Sequence, residues 1–101
     1  MIYNFPTVTT RLSLDSDFIG TLSEQPNIVG TKLSCTDVSK FHRLTSTLLS
    51  DKFATFPGSS AVFLQGLVLS SAGIIEALPN VAPKVYTELY RLWKEGKNIY
   101  R

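Results

Sequence analysis

The chain has 101 residues, of which 44% are hydrophobic and 18% are charged, and its formal net charge at pH 7 is +2. Such a composition is typical of a folded domain with one modest core, and it excludes a disordered chain. The net charge is too small to indicate a nucleic-acid partner, and we expect the basic residues from Lys84 onwards to form a solvated helix face.

Cysteine and histidine are too few to build a disulfide framework or a metal site. Cys35 is the only cysteine and His42 the only histidine, and neither has a partner at metal-ligand spacing. We therefore expect Cys35 to be a small buried residue, His42 to be structural or exposed, and the protein to use no metal ion or other cofactor.

The sequence lacks the patterns of export and of membrane insertion. The N-terminus has no basic and apolar leader, and the longest apolar stretch, at 61–69, is too short to span a bilayer. These features favour a protein of the cytosol or of an organelle matrix, with no membrane partner.

Short β-prone runs alternate with amphipathic stretches along the chain. Four runs are predicted as strands, at 2–5, 27–33, 53–56 and 73–77. Each is followed by a predicted helix, at 16–24, 37–49, 59–69 and 82–95. Candidate N-caps stand before the first three helices and a candidate C-cap follows the last: Asp15 or Ser16, Thr36 or Asp37, Ser59 or Ser60, and Gly96.

This alternation favours parallel strands joined by right-handed crossovers, as in α/β proteins. A closed (β/α)₈ barrel needs about 250 residues, and the four βα units predicted here amount to half of one. We therefore expect an α/β fold in which residues 1–101 form a single partial barrel domain.

Lys32 lies inside the most clearly strand-like run, close to the carboxyl end at which barrel enzymes place catalytic residues. Apolar neighbours such as Leu33 disfavour the charged ammonium, and the free amine is a nucleophile that can attack a ketone. The pattern is also consistent with a lysine at a sheet edge that extends its charge into solvent.

Tyr3 closes the first strand-like run and precedes a proline turn. A phenol at a barrel mouth can relay protons to and from a carbinolamine, although a tyrosine that only packs against its neighbours gives the same pattern. Glu76 is unusual within an apolar run, and the sequence leaves open whether it faces the barrel mouth or pairs with a lysine.

Two motifs and their spacing resemble the dihydrodipicolinate synthase and N-acetylneuraminate lyase family. The chain has Tyr-Asn-Phe-Pro at 3–6 and Pro-Asn-Ile-Val-Gly-Thr-Lys at 26–32, where the family has a Tyr-Asn-x-Pro turn after its fifth strand and a Gly-x-Lys on its sixth. The run at 56–59 resembles the turn after its seventh strand, and those at 72–75 and 80–81 resemble its eighth strand and the following helix start. The resemblance covers essentially the whole chain and implies the C-terminal half of a TIM (β/α)₈ barrel, with strands 5–8 and their helices.

The resemblance implies the chemistry of a class I aldolase or lyase, which needs no cofactor. Lys32 would form an imine with the keto group of pyruvate or another 2-keto acid, and Tyr3 would relay protons. The implied partner is therefore a small-molecule 2-keto acid. Four further positions are implied as substrate-binding: Thr31, Ser34, Gly58 and the backbone of Ile75.

Two departures from the family pattern bear on specificity. Val8 stands where the dihydrodipicolinate synthases carry an arginine for a second carboxylate, and Leu-Ser-Cys at 33–35 follows the lysine in place of their Glu-Ala-Thr-Gly. Both favour the 2-keto-3-deoxy sugar acid and 4-hydroxy-2-oxoglutarate aldolases over dihydrodipicolinate synthase, which is the alternative. The run at 26–32 is most similar to fungal and animal members of that branch.

The family's N-terminal half, with its carboxylate-binding loop and a second relay tyrosine, has no counterpart in this sequence. Catalysis needs substrate positioning as well as a nucleophile, so we expect the fragment alone to be weak or inactive. The alternative is a non-catalytic truncated paralogue that acts as a partner-binding half-barrel. Because open sheet edges invite pairing, we expect a homo-oligomer or another association through the edges at 2–5 and 73–77.

Overall fold

The computed structural model describes residues 1–8, 12–48 and 51–96. Three strands occur in these residues: β1 (Ile2–Asn4), β2 (Gly30–Leu33) and β3 (Ala54–Pro57). They alternate with α-helices: α1 (Ser16–Ser23), α2 (Val38–Thr47), α3 (Phe63–Val68) and α4 (Pro83–Lys94). Short 3₁₀ turns precede the last two helices, at Ser60–Val62 and Leu78–Asn80.

The three strands form one parallel sheet in the order β1-β2-β3, as the alternation predicts. Tyr3 is in register with Lys32, and Lys32 is in register with Phe56. Because in-register residues of neighbouring strands project to the same face, these three side chains share one face of the sheet. The alternate residues, such as Leu33, lie on the other face, where helices α1 and α2 bury them.

Side-chain caps begin the helices where the sequence placed them. Asp15 accepts a hydrogen bond from the Phe18 amide at 2.7 Å, and Asp37 accepts one from the Lys40 amide at 3.0 Å. Ser59 accepts one from the Ala61 amide. These three residues are therefore the N-caps among the predicted pairs. The predicted end of α2 at Leu49 lies outside the described residues.

Gly96 ends α4 in the conformation that favours glycine. Its φ is +69° and its amide donates to the Trp93 carbonyl at 3.0 Å. A left-handed residue after the last helical turn is best supplied by glycine, because it lacks the Cβ that clashes there. The C-cap position itself is occupied by Glu95, and Gly96 follows it as the glycine that terminates the helix.

The helix face of the sheet carries the core. Buried apolar side chains from α1, α2, β2 and the residue before β3 contact one another there: Ile19, Leu33, Phe41, Leu44 and Phe53. Val38, the first residue of α2, stays 39% exposed. The core is thus built mainly between β2, α1 and α2.

The basic face predicted for the last helix is solvated. Arg91 forms ion pairs with Glu88 and Glu95, and all three side chains are substantially exposed. Exposed pairs at helical spacing add little to stability. Lys97 and Arg101 lie outside the described residues.

The segment predicted as a fourth strand lies beside β3 but does not form a regular strand. The Ala72 amide donates to the Thr55 carbonyl at 3.1 Å, and the Ile75 amide donates to the Pro57 carbonyl at 3.2 Å. Three residues of the segment therefore advance against two of β3, which is the count of a bulge. The bulge contains Gly73, whose φ is +153°. The second strand is also shorter than predicted, since it begins at Gly30 rather than Asn27.

We expect Leu44→Ala to lower the free energy of unfolding by about 2–5 kcal/mol, because it removes a side chain that is only 1% exposed and leaves a cavity in the core. His42→Ala, on the exposed side of the same helix, is the matched control and should change it by less than about 0.5 kcal/mol. Denaturant unfolding of both variants measures the difference. Equal losses would show that α2 does not pack as described.

Candidate functional site

A lysine and a tyrosine meet near the carboxyl ends of the first two strands. Tyr3 and Lys32 each stand one residue before the end of their strand, and they are in register across the β1–β2 pair. Both project from the face that the helices leave open. The Tyr3 side chain is correspondingly 51% exposed.

The two side chains are in contact. The Lys32 Nζ atom lies 4.2 Å from the centroid of the Tyr3 ring, within the range of a cation–π interaction. The Tyr3 ring also stacks on Phe5, with 5.5 Å between the ring centroids. The amine therefore lies over an aromatic face at the open side of the sheet, and that aromatic ring is itself packed against Phe5.

Ser34 completes the cluster. Alternation along the chain returns residue 34 to the face that Lys32 occupies, and the Ser34 hydroxyl donates to the Tyr3 phenol oxygen at 3.4 Å. The hydrogen bond from Ser34 lowers the pKa of the Tyr3 phenol, and the hydrogen bond and positive charge of Lys32 lower it further, against an opposing effect of burial. The arrangement thus favours a phenol that can give up its proton.

Gly58 brings the end of β3 against this cluster. Its amide donates to the Leu33 carbonyl at 2.8 Å, which extends the β2–β3 ladder one step past the strands. A Cβ atom at position 58 would lie 2.3 Å from the Ser34 Oγ atom and 3.0 Å from the Ser34 Cα atom. Glycine is required here because any side chain would displace Ser34.

The structure does not bring the Thr31 side chain to the same cluster. Thr31 is fully buried on the helix face, in register with Ile2 and Thr55, and its hydroxyl has no hydrogen-bond partner among the described residues. The reason is strand alternation, which sends residues 31 and 32 to opposite faces. Only the Thr31 backbone lies next to the lysine.

Ile75 lies, like the cluster, at the carboxyl end of the sheet. Its amide is bonded to the Pro57 carbonyl, so the residue is tied to the end of β3 beside Gly58. The bulge at Gly73 sets this pairing, because in a regular ladder from Ala72 the amide of residue 74 would donate to the Pro57 carbonyl.

Asn4 supports the site, a role that sequence reasoning missed when it treated the residue as part of a turn. Its side chain is 1% exposed. The Asn4 Oδ1 atom accepts a hydrogen bond from the Leu14 amide at 3.1 Å, and its Nδ2 atom lies 3.9 Å from the Cys35 sulfur. Its carbonyl accepts the Ser34 amide at 2.9 Å. Asn4 therefore ties the loop after β1 and the end of β2 together directly beneath Tyr3. A short polar residue inside a β-prone run is the signal that could have indicated this.

Glu76 belongs to a second polar cluster, which it forms with Ser60 and Tyr86. The Ser60 hydroxyl donates to the Glu76 carboxylate, and the Tyr86 hydroxyl contacts both groups. Tyr86 lies on α4, and its ring contacts Phe63 at the start of α3. The Glu76 carboxylate therefore links the 3₁₀ turn after β3 to α4 through two hydroxyl groups.

Other candidate residues lie apart from the cluster. His42 is exposed on α2, and Cys35 is half-buried at the end of β2. Within the residues the structure describes, no three His, Cys, Asp or Glu side chains come together as metal ligands. No helix among 1–8, 12–48 and 51–96 is long and apolar enough to cross a membrane.

Fold and site together define a parallel α/β protein of barrel type, with a lysine–tyrosine pair at the carboxyl ends of neighbouring strands. The model of the dihydrodipicolinate synthetase family matches residues 1–99, and the chain belongs to this family.

Relatives in other organisms agree with that assignment. A Coccidioides immitis protein, to which mitochondrial 4-hydroxy-2-oxoglutarate aldolase activity is assigned, is 46% identical over 98 residues that cover 96% of this chain and 31% of that protein. The L-threo-3-deoxy-hexylosonate aldolase of Aspergillus niger is 28% identical over a gapped alignment of 119 positions. This alignment covers 96% of this chain and 36% of the enzyme. The chain thus spans about a third of the length of the relatives it matches.

Solved structures confirm the fold. A dihydrodipicolinate synthase family protein from Coccidioides immitis matches with a TM-score of 0.83 and 45% identity, over 95% of this chain and 30% of that one. A prophage protein of the same family from Escherichia coli K12, solved in complex with pyruvate, matches with a TM-score of 0.84 and 29% identity, over 93% of this chain and 32% of that one. The three parallel strands, the segment at 72–75 beside β3 and their helices therefore correspond to half of a TIM barrel.

Proposed function

We propose that the chain supplies the imine-forming half of a class I aldolase that releases pyruvate from a 2-keto acid. The observation that carries the proposal is the contact between Lys32 and Tyr3, with the amine 4.2 Å from the ring centroid at the carboxyl edge of a parallel sheet. That edge is where barrel enzymes hold their reacting groups. The pyruvate complex of the Escherichia coli family member supports a 2-keto acid as the ligand.

The proposed reaction begins at Lys32. Its amine attacks the keto carbon, and the nitrogen loses a proton while the oxygen gains one, which gives a carbinolamine. A second proton is then delivered to the carbinolamine hydroxyl, which leaves as water, and the product is a protonated imine. A phenol beside the amine can carry these protons. The contact of Tyr3 with Lys32, and the lowering of the Tyr3 pKa by Ser34 and Lys32, support this role for Tyr3.

The protonated imine then acts as an electron sink. Removal of the proton from a hydroxyl two carbons from the imine carbon releases an aldehyde, and the electrons of the broken C–C bond form an enamine on Lys32. The enamine takes up a proton at carbon, and water hydrolyses the resulting imine to pyruvate and the free amine. The electron sink is the lysine adduct itself, so this scheme requires no metal ion or other cofactor.

Four neighbours are proposed to surround the bound keto acid. Ser34 and Gly58 adjoin the lysine–tyrosine pair, and Ile75 adjoins Gly58 through the end of β3. Thr31 would contribute through its backbone, since its side chain lies on the helix face. Substrate positioning contributes a large part of catalysis, and the relatives are about three times as long as this chain. The 101-residue chain alone is therefore proposed to be a weak enzyme or an inactive one.

We expect pyruvate and borohydride to leave a reduced pyruvyl group on Lys32, because the imine that forms there is reduced to a stable amine. Peptide mass spectrometry of the 101-residue chain, and of any longer protein that contains it, measures the site. Lys32→Arg should abolish the label, and Tyr3→Phe should slow labelling by about a hundredfold.

Lys52→Arg, at an exposed lysine on the turn before β3, is the matched control and should label normally. Labelling of another lysine with Lys32 untouched would refute the assignment. Absence of any label, even in the longer protein, would favour the alternative of a non-catalytic half-barrel that binds a partner.

Within the family we propose the aldolases of 2-keto-3-deoxy sugar acids or of 4-hydroxy-2-oxoglutarate. Val8, where dihydrodipicolinate synthases carry an arginine, lies in the turn after β1 and is 68% exposed. An apolar residue there provides no cation for a second carboxylate. The names of the Coccidioides immitis and Aspergillus niger relatives support the same branch, and dihydrodipicolinate synthase is the alternative.

A longer protein carrying this chain should cleave 2-keto-3-deoxy acids in preference to condensing pyruvate with aspartate semialdehyde. Val8→Arg should shift the ratio of the two kcat/KM values towards the semialdehyde by about tenfold, because the new guanidinium can pair with its carboxylate. Val8→Leu, which keeps an apolar side chain at this position, is the control and should leave the ratio of the two kcat/KM values unchanged. Efficient condensation by the unmodified protein would identify it as a dihydrodipicolinate synthase.

We further propose that residues 1–101, as a single partial barrel domain, associate with a second copy through the open edges of the sheet. In the described part of the chain, β1 is paired on one side only, and the segment 72–75 is paired only with β3. Unpaired strand edges and an uncovered sheet face both favour association.

Sedimentation of the purified 101-residue chain should therefore give a mass above that of the monomer, with a concentration-dependent melting transition. Aggregation or binding of a hydrophobic dye would point the same way, since both report the uncovered face. A monomer that melts in one sharp transition and binds no dye would contradict the proposal.

The compartment of the protein is proposed to be the cytosol or the mitochondrial matrix. The Coccidioides immitis relative is described as mitochondrial, which supports the second. Fluorescence microscopy of the tagged full-length protein distinguishes the two.

A further inference from the structure

Ser34 occupies the space between Tyr3 and Gly58 and is fixed there by the backbone. Its amide donates to the Asn4 carbonyl at 2.9 Å, one step beyond the paired residues of β1 and β2. Its hydroxyl donates to the Tyr3 phenol oxygen at 3.4 Å. This distance is long for a bond between two oxygens, but such contacts at reacting groups often shorten once a substrate is bound.

Gly58 holds the Ser34 hydroxyl in this place by leaving the adjoining space empty. The two residues approach so closely that a Cβ atom at position 58 would lie 2.3 Å from the Ser34 Oγ atom. The backbone of Gly58 cannot retreat without breaking its 2.8 Å hydrogen bond to the Leu33 carbonyl. The hydroxyl is therefore confined between a glycine on one side and a phenol on the other.

We propose that Ser34 is a positioning residue, whose hydroxyl orients the Tyr3 phenol beside the Lys32 amine and stabilises its ionised form, and that Gly58 keeps this hydroxyl in place. The inference rests on the proposed imine chemistry at Lys32 and names the group that prepares its proton carrier. A donor aimed at the phenol oxygen is stronger towards the phenolate than towards the neutral phenol. Ser34 thereby acts through Tyr3, without itself exchanging a proton with the substrate.

The order of residues along β2 is consistent with separate roles for Lys32 and Ser34. Residue 33 projects into the core and residue 34 projects beside Lys32, so a hydroxyl two positions after the lysine reaches the phenol across the β1–β2 pair. Lys32 supplies positive charge over the ring, and Ser34 supplies a directed hydrogen bond at the oxygen. The two influences lower the pKa of the phenol from different directions.

The first test measures the titration of Tyr3 itself and requires no catalysis. The difference in tyrosinate absorbance between the chain and its Tyr3→Phe variant isolates this residue from the other tyrosines. Ser34→Ala should move the midpoint to higher pH, and Ser34→Thr should keep it low. Gly58→Ala, which leaves the serine in the sequence but displaces it, should also move the midpoint upwards.

Ser60→Ala is the matched control, because that serine contacts Tyr86 instead of Tyr3. It should leave the Tyr3 midpoint unchanged.

The second test measures the rate at which pyruvate is trapped on Lys32 by borohydride. Ser34→Ala should slow trapping by about tenfold, a part of what a proton carrier contributes, and Ser34→Thr should restore most of the rate. If Ser34→Ala does not fold, Ser34→Cys offers the same shape with a weaker donor and should lie between alanine and serine in both tests.

The outcomes separate this inference from the function on which it rests. An upward shift of the midpoint together with slower trapping, both rescued by threonine, supports it. An unchanged midpoint overturns it, and so does a shifted midpoint with normal trapping. If no variant or parent traps pyruvate, even within the longer protein, the proposed function fails, and with it the catalytic part of the inference, whatever the titration shows.

Discussion

The pairing of β1 with β2 is the interaction on which the rest of the site depends. It sets Tyr3 opposite Lys32, and with that register the phenol, the amine and the Ser34 hydroxyl all reach one face of the sheet. A slip of one residue in either strand would send one partner of the pair into the helix layer, since neighbouring residues face opposite ways. A strand of three residues and one of four therefore carry the whole geometry of the candidate site.

Burial on the other face holds that register. Leu33 and Asn4 are in register with each other, and both are almost fully buried. Leu33 anchors β2 in the core beside α1 and α2. Asn4 anchors β1 through hydrogen bonds from its own side chain. An apolar contact and a satisfied polar group thus stabilise the same alignment, and displacing either residue would expose core surface or leave a buried amide unpaired.

Most of the architecture could be predicted from the sequence, because helix caps and the alternation of strands with helices are strong local patterns. Asp15, Asp37 and Ser59 cap helices as predicted, Gly96 ends one, and the β/α alternation fixes a parallel sheet. Lys32 and Tyr3 could be singled out from their position near strand ends, and the motif spacing indicated the family that the comparisons confirm.

What could not be read from the sequence depends on side-chain direction and on distant contacts. Thr31 adjoins the lysine along the chain but faces away from it. Which sheet face a strand residue occupies changes with every residue, so the sequence alone did not show that the Thr31 side chain points into the helix layer. Glu76 reaches two hydroxyl groups, one of them ten residues away on α4. The irregular path at Gly73 arises from how the chain meets β3, and an apolar β-prone run gives no sign of it.

That irregular path also makes the two borders of the sheet unequal. β1 offers a regular border, whereas the segment at 72–75 contains a bulge in which three of its residues advance against two of β3, and such a border is a poor template for a further strand. If two copies closed into one barrel, β1 of each copy would have to pair with the irregular segment at 72–75 of the other. Contact between two β1 strands about a two-fold axis uses regular borders alone and runs antiparallel. Tyr3 is the middle residue of β1, so this mode of assembly would bring two phenols together at the axis and set self-association in competition with access to the lysine.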